Sequence, residues 1–388
     1  METMTSRERV LAALNHQEAD RVPIDLGGFQ SGIHLRAYRA LLDHLGWEEE
    51  IRVLDPVQQL AVPSERVLER FNVDVRYVTA GAPEGFDGRI RQNHRDGRLW
   101  HDLKDEFGVV WSMPDEQGLY MDISHHPLAD ATVPDLEAYP FPKGDDPSRF
   151  AGLRKRAQAL RQNNNCALSS GICGVTYEIC WYMRGLERWF LDMIENPAFC
   201  EALLDRTSRF WVDWMAGFLT EVGDVLDVIM IGDDLAGQDG PLFSPSFYRS
   251  VVKPRQRAVI DAIKKRTKAK IWYHTCGSCL DLIPDLLDNG IDILNPVQIG
   301  ARDMDPSMLK RRFGKHLVFW GGGIDSQHIL PFATPERVQA EVRHNVRTFM
   351  PDGGYVFANV HNIQAETPPD NVVALYDEAY RAGFYTVR

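Results

Sequence analysis

A histidine and a cysteine two residues apart, His274 and Cys276, form the sharpest chemical pattern in the sequence. They end a short apolar run, Lys270–His274, that is typical of a β-strand, and residues i and i+2 of an extended chain point to the same side. An imidazole and a thiolate on one side can bind one metal ion, and this pair favours Zn²⁺. The alternative is that both are ordinary polar residues at a strand end.

A third metal ligand must come from elsewhere in the chain, and the candidate is His361, which follows a later apolar run. Three protein ligands and one open position are typical of a catalytic zinc site, whereas structural sites use four. The pattern therefore predicts a catalytic metal centre made of His274, Cys276 and His361.

Two adjacent carboxylates, Asp233 and Asp234, follow the apolar run Val225–Ile231. Neighbouring carboxylates in a polar cleft shift each other's pKa and can move protons or orient a metal ligand. The alternative is an aspartate pair that makes turn hydrogen bonds. We take both as candidate catalytic residues.

Other polar or glycine residues lie just past the predicted strands and are candidates for substrate binding. They are Tyr177, Gln238, Asn295, Gln298, Gly322, Asp325 and Asn362. For Gly322 the alternative is a tight turn, and for Tyr177 it is the surface of a helix.

Eight short segments have the composition of β-strands, and helical stretches separate most of them. They are Arg21–Leu26, Asn72–Val78, Cys166–Cys173, Val225–Ile231, Lys270–His274, Asp292–Asn295, His316–Trp320 and Tyr355–Asn359. This alternation predicts an α/β fold, the (β/α)8 TIM barrel, in which loops after the strands form the active-site mouth. A doubly wound open sheet is the competitor, but no glycine-rich dinucleotide fingerprint follows the first strand.

The chain exceeds the usual barrel of about 250 residues, and two segments account for the surplus. Thr5 and Glu8 have the spacing of a capping box and predict an extra N-terminal helix. Residues 81–143 are rich in Gly, Asp and Pro, with strand-like pieces at Val109–Trp111 and Leu119–Ile123. We expect one domain over residues 1–388, with 81–143 inserted as a β-ribbon or lid between strands two and three.

Helix starts are marked by Ser/Thr-Pro pairs, in which the hydroxyl caps the helix and proline occupies its first turn. The three predicted helices run from Ser244 toward Lys265, from Thr334 to about Phe349, and from Thr367 to near Gly383.

The net charge of −12 among 388 residues disfavours binding to nucleic acid or to an anionic membrane surface. No apolar run reaches the roughly 18–20 residues that cross a bilayer, and residues 1–15 lack the apolar segment of a signal peptide. Six cysteines are few for this length, which favours a cytoplasmic protein with reduced thiols.

Several segments together resemble the uroporphyrinogen decarboxylase superfamily, and most closely its methyltransferase-like branch. The resemblance covers nearly the whole chain, and the second and third segments carry most of its weight. The segments are TSRERVLAALNHQEADRVPID, IGDDLAGQDGPLFSPSFYRSVVKPR, YHTCGSCLDLIPDLLDNGIDILNPVQ, FWGGGIDSQHILPFATPERV and HNIQAETPPDN. The resemblance implies a (β/α)8 barrel.

True decarboxylases of this superfamily need no metal or organic cofactor. They bind a tetrapyrrole bearing propionates and acetates through a Met-Arg-Gln-Ala-Gly-Arg motif just after the first strand. The corresponding stretch here, Ile24–Phe29, has neither arginine and includes Asp25. Guanidinium groups suit bidentate carboxylate binding, so their loss argues against a polyanionic porphyrinogen substrate.

The methyltransferase branch carries methyl groups between methylated corrinoid proteins and thiols such as coenzyme M. Its zinc ligands are His-x-Cys and a distant Cys six residues before the Thr of a Thr-Pro pair. His274 and Cys276 match the first two, and counting back from Thr367 (367 − 6 = 361) places His361 at the third. Histidine replaces cysteine there, which raises the charge of the site by one and makes the ion a stronger Lewis acid.

The resulting hypothesis is a zinc-dependent, methyltransferase-like enzyme acting on a small substrate. No Asp-x-His-x-x-Gly corrinoid-binding signature is present, so a corrinoid would come on a partner protein. One alternative is a cofactor-free decarboxylase of a smaller carboxylate; the nearest acid after strand two, Asp74, does not match the motif of that branch. Another is a non-catalytic barrel that binds a small molecule. The sequence leaves the oligomeric state open.

Overall fold

The computed structural model describes residues 2–171 and 176–385. The strands, in chain order, are β1 (Arg52–Asp55), β2 (Leu60–Val62), β3 (Val75–Val78), β4 (Arg91–Arg95), β5 (Arg98–Lys104), β6 (Val110–Pro114), β7 (Asp122–His125), β8 (Ala167–Ser170), β9 (Val228–Gly232), β10 (Ala236–Gly237), β11 (Gly240–Pro241), β12 (Lys270–His274), β13 (Ile293–Asn295), β14 (Val318–Trp320) and β15 (Tyr355–Val356).

The α-helices, in chain order, are α1 (Ser6–Leu14), α2 (Leu35–Leu45), α3 (Glu65–Arg70), α4 (Val133–Ala138), α5 (Leu153–Asn164), α6 (Glu178–Arg184), α7 (Leu186–Glu195), α8 (Pro197–Val222), α9 (Pro245–Phe247), α10 (Lys253–Lys264), α11 (Ile283–Asn289), α12 (Pro306–Phe313), α13 (Pro335–Phe349) and α14 (Pro369–Ala382). Among the described residues, no helix combines the length and the apolar character needed to cross a membrane.

The central sheet is parallel and its strands pair in chain order, β3, β8, β9, β12, β13, β14 and β15 within the described ranges. The segment 23–25 lies between the two outer strands. Its backbone exchanges hydrogen bonds with Phe357 on one side (both 2.8 Å), and the carbonyl of Ile24 accepts one from Asp74 N on the other (2.8 Å). The ring is thereby closed, and the predicted (β/α)8 barrel is confirmed.

The first predicted strand, Arg21–Leu26, is an irregular member of the barrel. Ile24 forms only an isolated parallel bridge with Phe357. Pro23 has no N–H to donate, so a continuous ladder cannot form through it. The predicted strand Cys166–Cys173 is observed as β8, and its last two residues lie outside the described part of the chain.

Alternating residues of the barrel strands fill the interior, as the two-residue period of a strand requires. Val228 and Met230 of β9, Trp272 of β12 and Trp320 of β14 belong to this interior cluster. The Trp272 and Trp320 rings stack at 4.5 Å between centroids. Because Trp272 points inward, His274 two residues later points inward as well, at the mouth of the barrel.

The other end of the barrel is sealed by the N-terminal helix. Thr5 and Glu8 form the predicted capping box of α1, and Val10, Ala13 and Leu14 pack into the interior cluster.

A buried ion network lies at this sealed end. Asp74, at the start of β3, is ion-paired to Arg9 and Arg21 (both 2.7 Å). It therefore lies at the end of the barrel opposite the mouth. Asp74, the acid weighed above for the decarboxylase alternative, thus holds the N-terminal segment in place through its ion pairs.

The β-rich insertion between the second and third barrel strands is confirmed. It forms an antiparallel ribbon in which β4, β5, β6 and β7 pair in sequence. Its last two strands begin one and three residues later than the predicted pieces Val109–Trp111 and Leu119–Ile123. The ribbon reaches the mouth, where the rings of Trp111 and Tyr182 meet edge to face at 5.1 Å.

The helix predicted from Ser244 toward Lys265 is interrupted. A π-helical segment, Tyr248–Val252, separates α9 from α10. Pro254 lies two residues after this segment and cannot donate to the carbonyl four residues before it, which accounts for the widened turn. The helices predicted from Thr334 and Thr367 are observed as α13 and α14.

Candidate metal centre and its cavity

His274, Cys276 and His361 come together at the mouth of the barrel. One ligand atom from each lies within 4.8 Å of those of the other two. His274 Nε2 is 3.4 Å from Cys276 Sγ, and the two imidazole rings are 5.7 Å apart between centroids. The structure thus brings together two imidazole nitrogens and a thiol sulfur that are separated by up to 87 residues in sequence.

Asn295 fixes the orientation of His274. Residues 274 and 295 are paired in the β12–β13 ladder, and His274 Nδ1 lies 2.6 Å from Asn295 Oδ1. The amide nitrogen of Asn295 donates to the Trp320 carbonyl (2.9 Å), so its oxygen is the atom that faces the ring. Nδ1 therefore carries the proton, and the lone pair of Nε2 is directed toward Cys276.

Burial keeps both imidazoles in the neutral form that binds metals. Desolvation lowers the pKa of His274, although Asp234 and Asn295 act in the opposite direction. Desolvation, followed by the repulsion of His274, lowers the pKa of His361 to about 4. Neither ring needs to lose a proton at neutral pH in order to become a ligand.

The loop after His274 is held by its backbone. Gly277 has φ +84°, and a Cβ there would lie 2.4 Å from the carbonyl oxygen of Gly237. Its N–H donates to Gln298 Oε1 (2.6 Å). Glycine is needed for both the conformation and the close approach. Gln298, predicted to bind substrate, is thus engaged in supporting the loop that carries Cys276.

Asp233 and Asp234 have different environments. Asp233 is fully buried, and its Oδ1 accepts from the backbone N–H groups of Thr176, Tyr177 and Glu178 at 3.1, 2.8 and 2.9 Å. Its Oδ2 accepts from Thr176 Oγ1 (2.5 Å) and Gln256 Nε2 (3.0 Å). Desolvation still raises its pKa. This carboxyl group anchors the start of α6 and has no remaining face for a substrate.

Asp234 lies at the metal cluster. Its Oδ1 accepts from the Cys276 backbone N–H (2.9 Å) and is 3.9 Å from His274 Nε2. Its side chain is 37% exposed and lines a cavity in front of the cluster, described below. Of the two predicted catalytic aspartates, Asp234 is the one in position to act on a bound molecule.

Glu178, next to the predicted residue Tyr177, also faces the cavity. Desolvation, followed by the charge of Asp234, raises the pKa of Glu178 to about 8, and the Tyr182 hydroxyl donates to its carboxylate. Tyr177 itself is fully buried, with its ring against Trp189 and Phe243. Tyr177 thus packs in the core, and its neighbour is the cavity residue.

The cavity in front of the metal cluster has a volume of about 620 Å³. Aromatic and acidic side chains from the barrel, the β1–β2 segment and the insertion form most of its wall. The lining residues are Phe29, Gln30, Asp55, Val57, Gln58, Asp105, Trp111, Tyr120, Met121, Gly171, Glu178, Tyr182, Trp211, Asp234, His274 and His361. Within the described part of the chain, no lysine or arginine is among them.

Four other predicted substrate-binding residues do not line this cavity. Gln238 is exposed in the short β10–β11 turn. Gly322 is a buried turn glycine with φ +67°. Asp325 accepts from the backbone N–H groups of Gln327 and His328 at the start of the next loop. Asn362 bridges Gly32 N (2.7 Å) to Gln58 (2.9 Å), and so supports the wall without lining it.

Several residues of the cavity wall were not predicted from the sequence. Asp105 and Trp111 lie in the insertion, where no repeated strand–helix rhythm shows which side chains face the barrel. Asp55 belongs to the β1–β2 hairpin, which was not predicted. For Glu178 the sequence does offer a signal, because it lies five residues after the predicted third strand, next to Tyr177, where residues of the mouth are expected.

The donor set fits zinc. A thiol and two neutral imidazoles form a ligand combination known from catalytic zinc sites, and their inward positions leave a side open to the cavity. The hydrogen bond from His274 to Asn295 is the outer contact that metal-bound histidines ordinarily make.

Comparison with known proteins places the fold. Residues 104–382 match the family model for uroporphyrinogen decarboxylase (URO-D). A uroporphyrinogen decarboxylase from Alkalilimnicola ehrlichii is 21% identical, over 98% of this chain and 95% of its own length. Another, from Ruthia magnifica, is 25% identical over 55% of this chain, and the match spans only 60% of that relative.

Among solved structures, a methyltransferase from Methanosarcina mazei superimposes with a TM-score of 0.64 at 18% identity. The superposition covers 98% of this chain and 99% of the other. At that identity the likeness establishes the fold alone. Because the family model spans well over half of the sequence, the chain belongs to the uroporphyrinogen decarboxylase (URO-D) family.

Proposed function

We propose that the protein is a zinc-dependent, methyltransferase-like enzyme that moves a methyl group between a small substrate and a corrinoid protein or thiol. The observation that carries the proposal is the convergence of His274, Cys276 and His361 beside a cavity whose wall includes both histidines. The fold shared with a methyltransferase supports it.

The three residues would hold the metal, and Asn295 would orient His274 from behind. When bound, zinc would supply Lewis acidity toward a donor atom of the substrate or the acceptor. With one thiolate and two neutral imidazoles, the site would carry one more positive charge than a site with two thiolates and one imidazole, which favours binding of an oxygen or other anionic donor atom.

Beside that site, Glu178 would transfer protons and Asp234 would position the thiol. The pKa of Glu178, about 8, leaves its carboxyl group protonated at neutral pH, so it can donate to a leaving atom and be reprotonated afterwards. Asp234 holds the Cys276 backbone N–H and thereby sets the position of the thiol. Both side chains line the cavity wall.

The decarboxylase alternative has less support. A carboxylated substrate needs cationic or strong hydrogen-bonding partners, and the described cavity wall has four carboxyl groups and no lysine or arginine. Asp74 is sequestered by two arginines away from the mouth.

Elemental analysis of the purified protein tests the metal centre first. We expect about one zinc per chain in the wild type, and loss of zinc in Cys276→Ala. Cys279→Ala is the matched control, because that thiol is fully buried beside the site and is not part of the ligand cluster. If neither the wild type nor the control bound offered zinc, the proposed centre would be rejected.

Methyl transfer itself can be tested with free methylcobalamin and a panel of thiols. In this step the thiolate forms a bond to the methyl carbon, and the electron pair of the cobalt–carbon bond stays on cobalt as Co(I). We expect turnover with zinc-loaded wild type and none with Cys276→Ala. A zinc-loaded protein that binds the thiols without turnover would favour a non-catalytic binding protein.

A further inference from the structure

Two further carboxyl groups of the cavity wall, Asp55 and Asp105, are unusual in their surroundings. Asp55 accepts hydrogen bonds from Val57 N and Gln58 Nε2 (both 2.8 Å). Asp105 accepts from Phe107 N (2.9 Å), Val109 N (3.0 Å) and Trp111 Nε1 (3.0 Å). All of these donors are neutral, so the negative charge of each carboxylate is left without a cation in the wall.

Two aromatic rings connect Asp105 to another carboxyl group of the wall, Glu178. Trp111 connects Asp105 to Tyr182, since its Nε1 donates to the aspartate and its ring contacts the tyrosine edge to face. Tyr182 in turn donates to Glu178. Phe29, Tyr120 and Trp211 contribute further rings to the same wall. Faces of aromatic rings attract cations, and most strongly where water is excluded.

We propose that this cavity selects an organic cation, of the methylated ammonium type, as its small-molecule ligand. A quaternary methylated ammonium group has no N–H to donate, so aromatic faces with nearby carboxylates are the surface that recognises it. The inference rests on the proposed function for its metal site, and it concerns the charge and shape of the ligand that the rest of the wall accepts.

Two further observations support the assignment. Burial raises the pKa of both Asp55 and Asp105, so a cation bound near either carboxyl group would stabilise its ionised form. The volume of about 620 Å³ accommodates a small organic ion together with a reaction partner. Four of the nine aromatic and acidic residues of the wall come from the insertion and the β1–β2 hairpin, which lie outside the regular alternation of barrel strands and helices. They are Asp55, Asp105, Trp111 and Tyr120.

The test is a binding comparison by isothermal titration on the wild-type protein, with choline and its neutral isostere 3,3-dimethylbutan-1-ol. Tetramethylammonium and the anion 3,3-dimethylbutanoate extend the series. We expect choline to bind about tenfold or more tightly than the alcohol, and the anion to be the weakest. Equal affinity of choline and the alcohol, tighter binding of the anion, or no saturable binding of either cation up to about 50 mM would overturn the proposal.

Variants locate the binding surface. Trp111→Leu should weaken choline about fivefold or more, whereas Trp111→Phe, which keeps an aromatic face, should retain most of the affinity. Asp105→Asn should weaken choline but not the neutral alcohol. Its matched control is Asp122→Asn, which removes the same charge from an exposed position of the same insertion. Unchanged choline binding in both Trp111→Leu and Asp105→Asn would place the ligand elsewhere and overturn the assignment.

Repeating the titration with Cys276→Ala separates this inference from the proposed function. Cation-selective binding in that metal-free variant, with no methyl transfer by the wild type, would uphold the ligand class and refute the activity. Zinc and methyl transfer without cation selectivity would refute the ligand class alone.

Discussion

Asn295 Oδ1 lies 2.6 Å from His274 Nδ1, directly across the β12–β13 ladder, and this contact determines which nitrogen of the ring faces the thiol. The amide is itself held by the Trp320 carbonyl. The backbone carbonyl of Trp320 on β14 therefore fixes, through Asn295, the tautomer of the predicted ligand His274 on β12.

Replacing Asn295 with Leu should weaken zinc binding about 10- to 100-fold, because the ring loses the partner that orients it. Asn295→Asp keeps an acceptor oxygen at the same place and should retain most of the affinity. Competition with a chromogenic chelator measures both. Wild-type affinity in Asn295→Leu would show that the ring does not depend on this contact.

Asp233 and Asp234 should respond differently to truncation. Asp233→Ala leaves three backbone N–H groups of the α6 start without their acceptor, and should cost about 2–4 kcal/mol of unfolding free energy. Asp234→Ala should cost less than about 1 kcal/mol, because its side chain is partly exposed, yet it should abolish most methyl transfer. Urea unfolding with the methylcobalamin assay separates the effects. Equal destabilisation by the two variants would contradict this assignment.

His361→Cys should retain zinc, since thiolate and imidazole are both good ligands, while the Lewis acidity of the ion falls. We expect transfer from methyl donors with oxygen leaving groups to drop about tenfold or more, a loss of about 1.4 kcal/mol in transition-state stabilisation. Zinc content and initial rates are measured on the same preparations. If His361→Cys kept both the zinc content and the initial rates of the wild type, the charge of the site would not explain its reactivity.

The metal-free protein should lose stability as the pH falls. His361 has a pKa of about 4 in the folded state against an ordinary 6.5, and the pKa of His274 is also lowered. Between these values the unfolded chain binds more protons than the folded chain, so the unfolding free energy rises with pH from about 4 to 6.5. Thermal melts across this range give the slope. His361→Gln should make it shallower, and an unchanged slope in that variant would assign the effect to other groups.

The sequence was sufficient to predict the barrel and the pairing of His274 with Cys276, because both follow from local periods. His361 was placed by its spacing from Thr367, as the family resemblance implies. Apolar runs of the right length recur between helical stretches, and the two-residue period of β12 places His274 and Cys276 on one side. The hydrogen bonds that turn segment 23–25 into the closing element come from contacts with Phe357 and Asp74, far away in sequence.

The cavity wall was much harder to predict. Tyr177 and Glu178 are adjacent, and only tertiary packing decides which one enters the core. Asn295 and Gln298 follow a strand as binding residues do, yet their polar groups are used to hold the ligand loop. Which polar group meets another protein group and which remains for a ligand depends on three-dimensional neighbours that no local pattern encodes.

The way segment 23–25 closes the ring has a dynamic consequence. Three backbone hydrogen bonds hold this seam, whereas β12 is paired along its length with β9 and β13. Opening free energies vary across a structure with local contact density, so the amides of Asp25 and Phe357 should exchange with deuterium sooner than those of Met230 and Trp272. Phe29 and Gln30 of the cavity wall follow this segment after three residues. Transient opening of the hydrogen bonds at 23–25 would therefore also move these two residues and widen the entrance for a ligand.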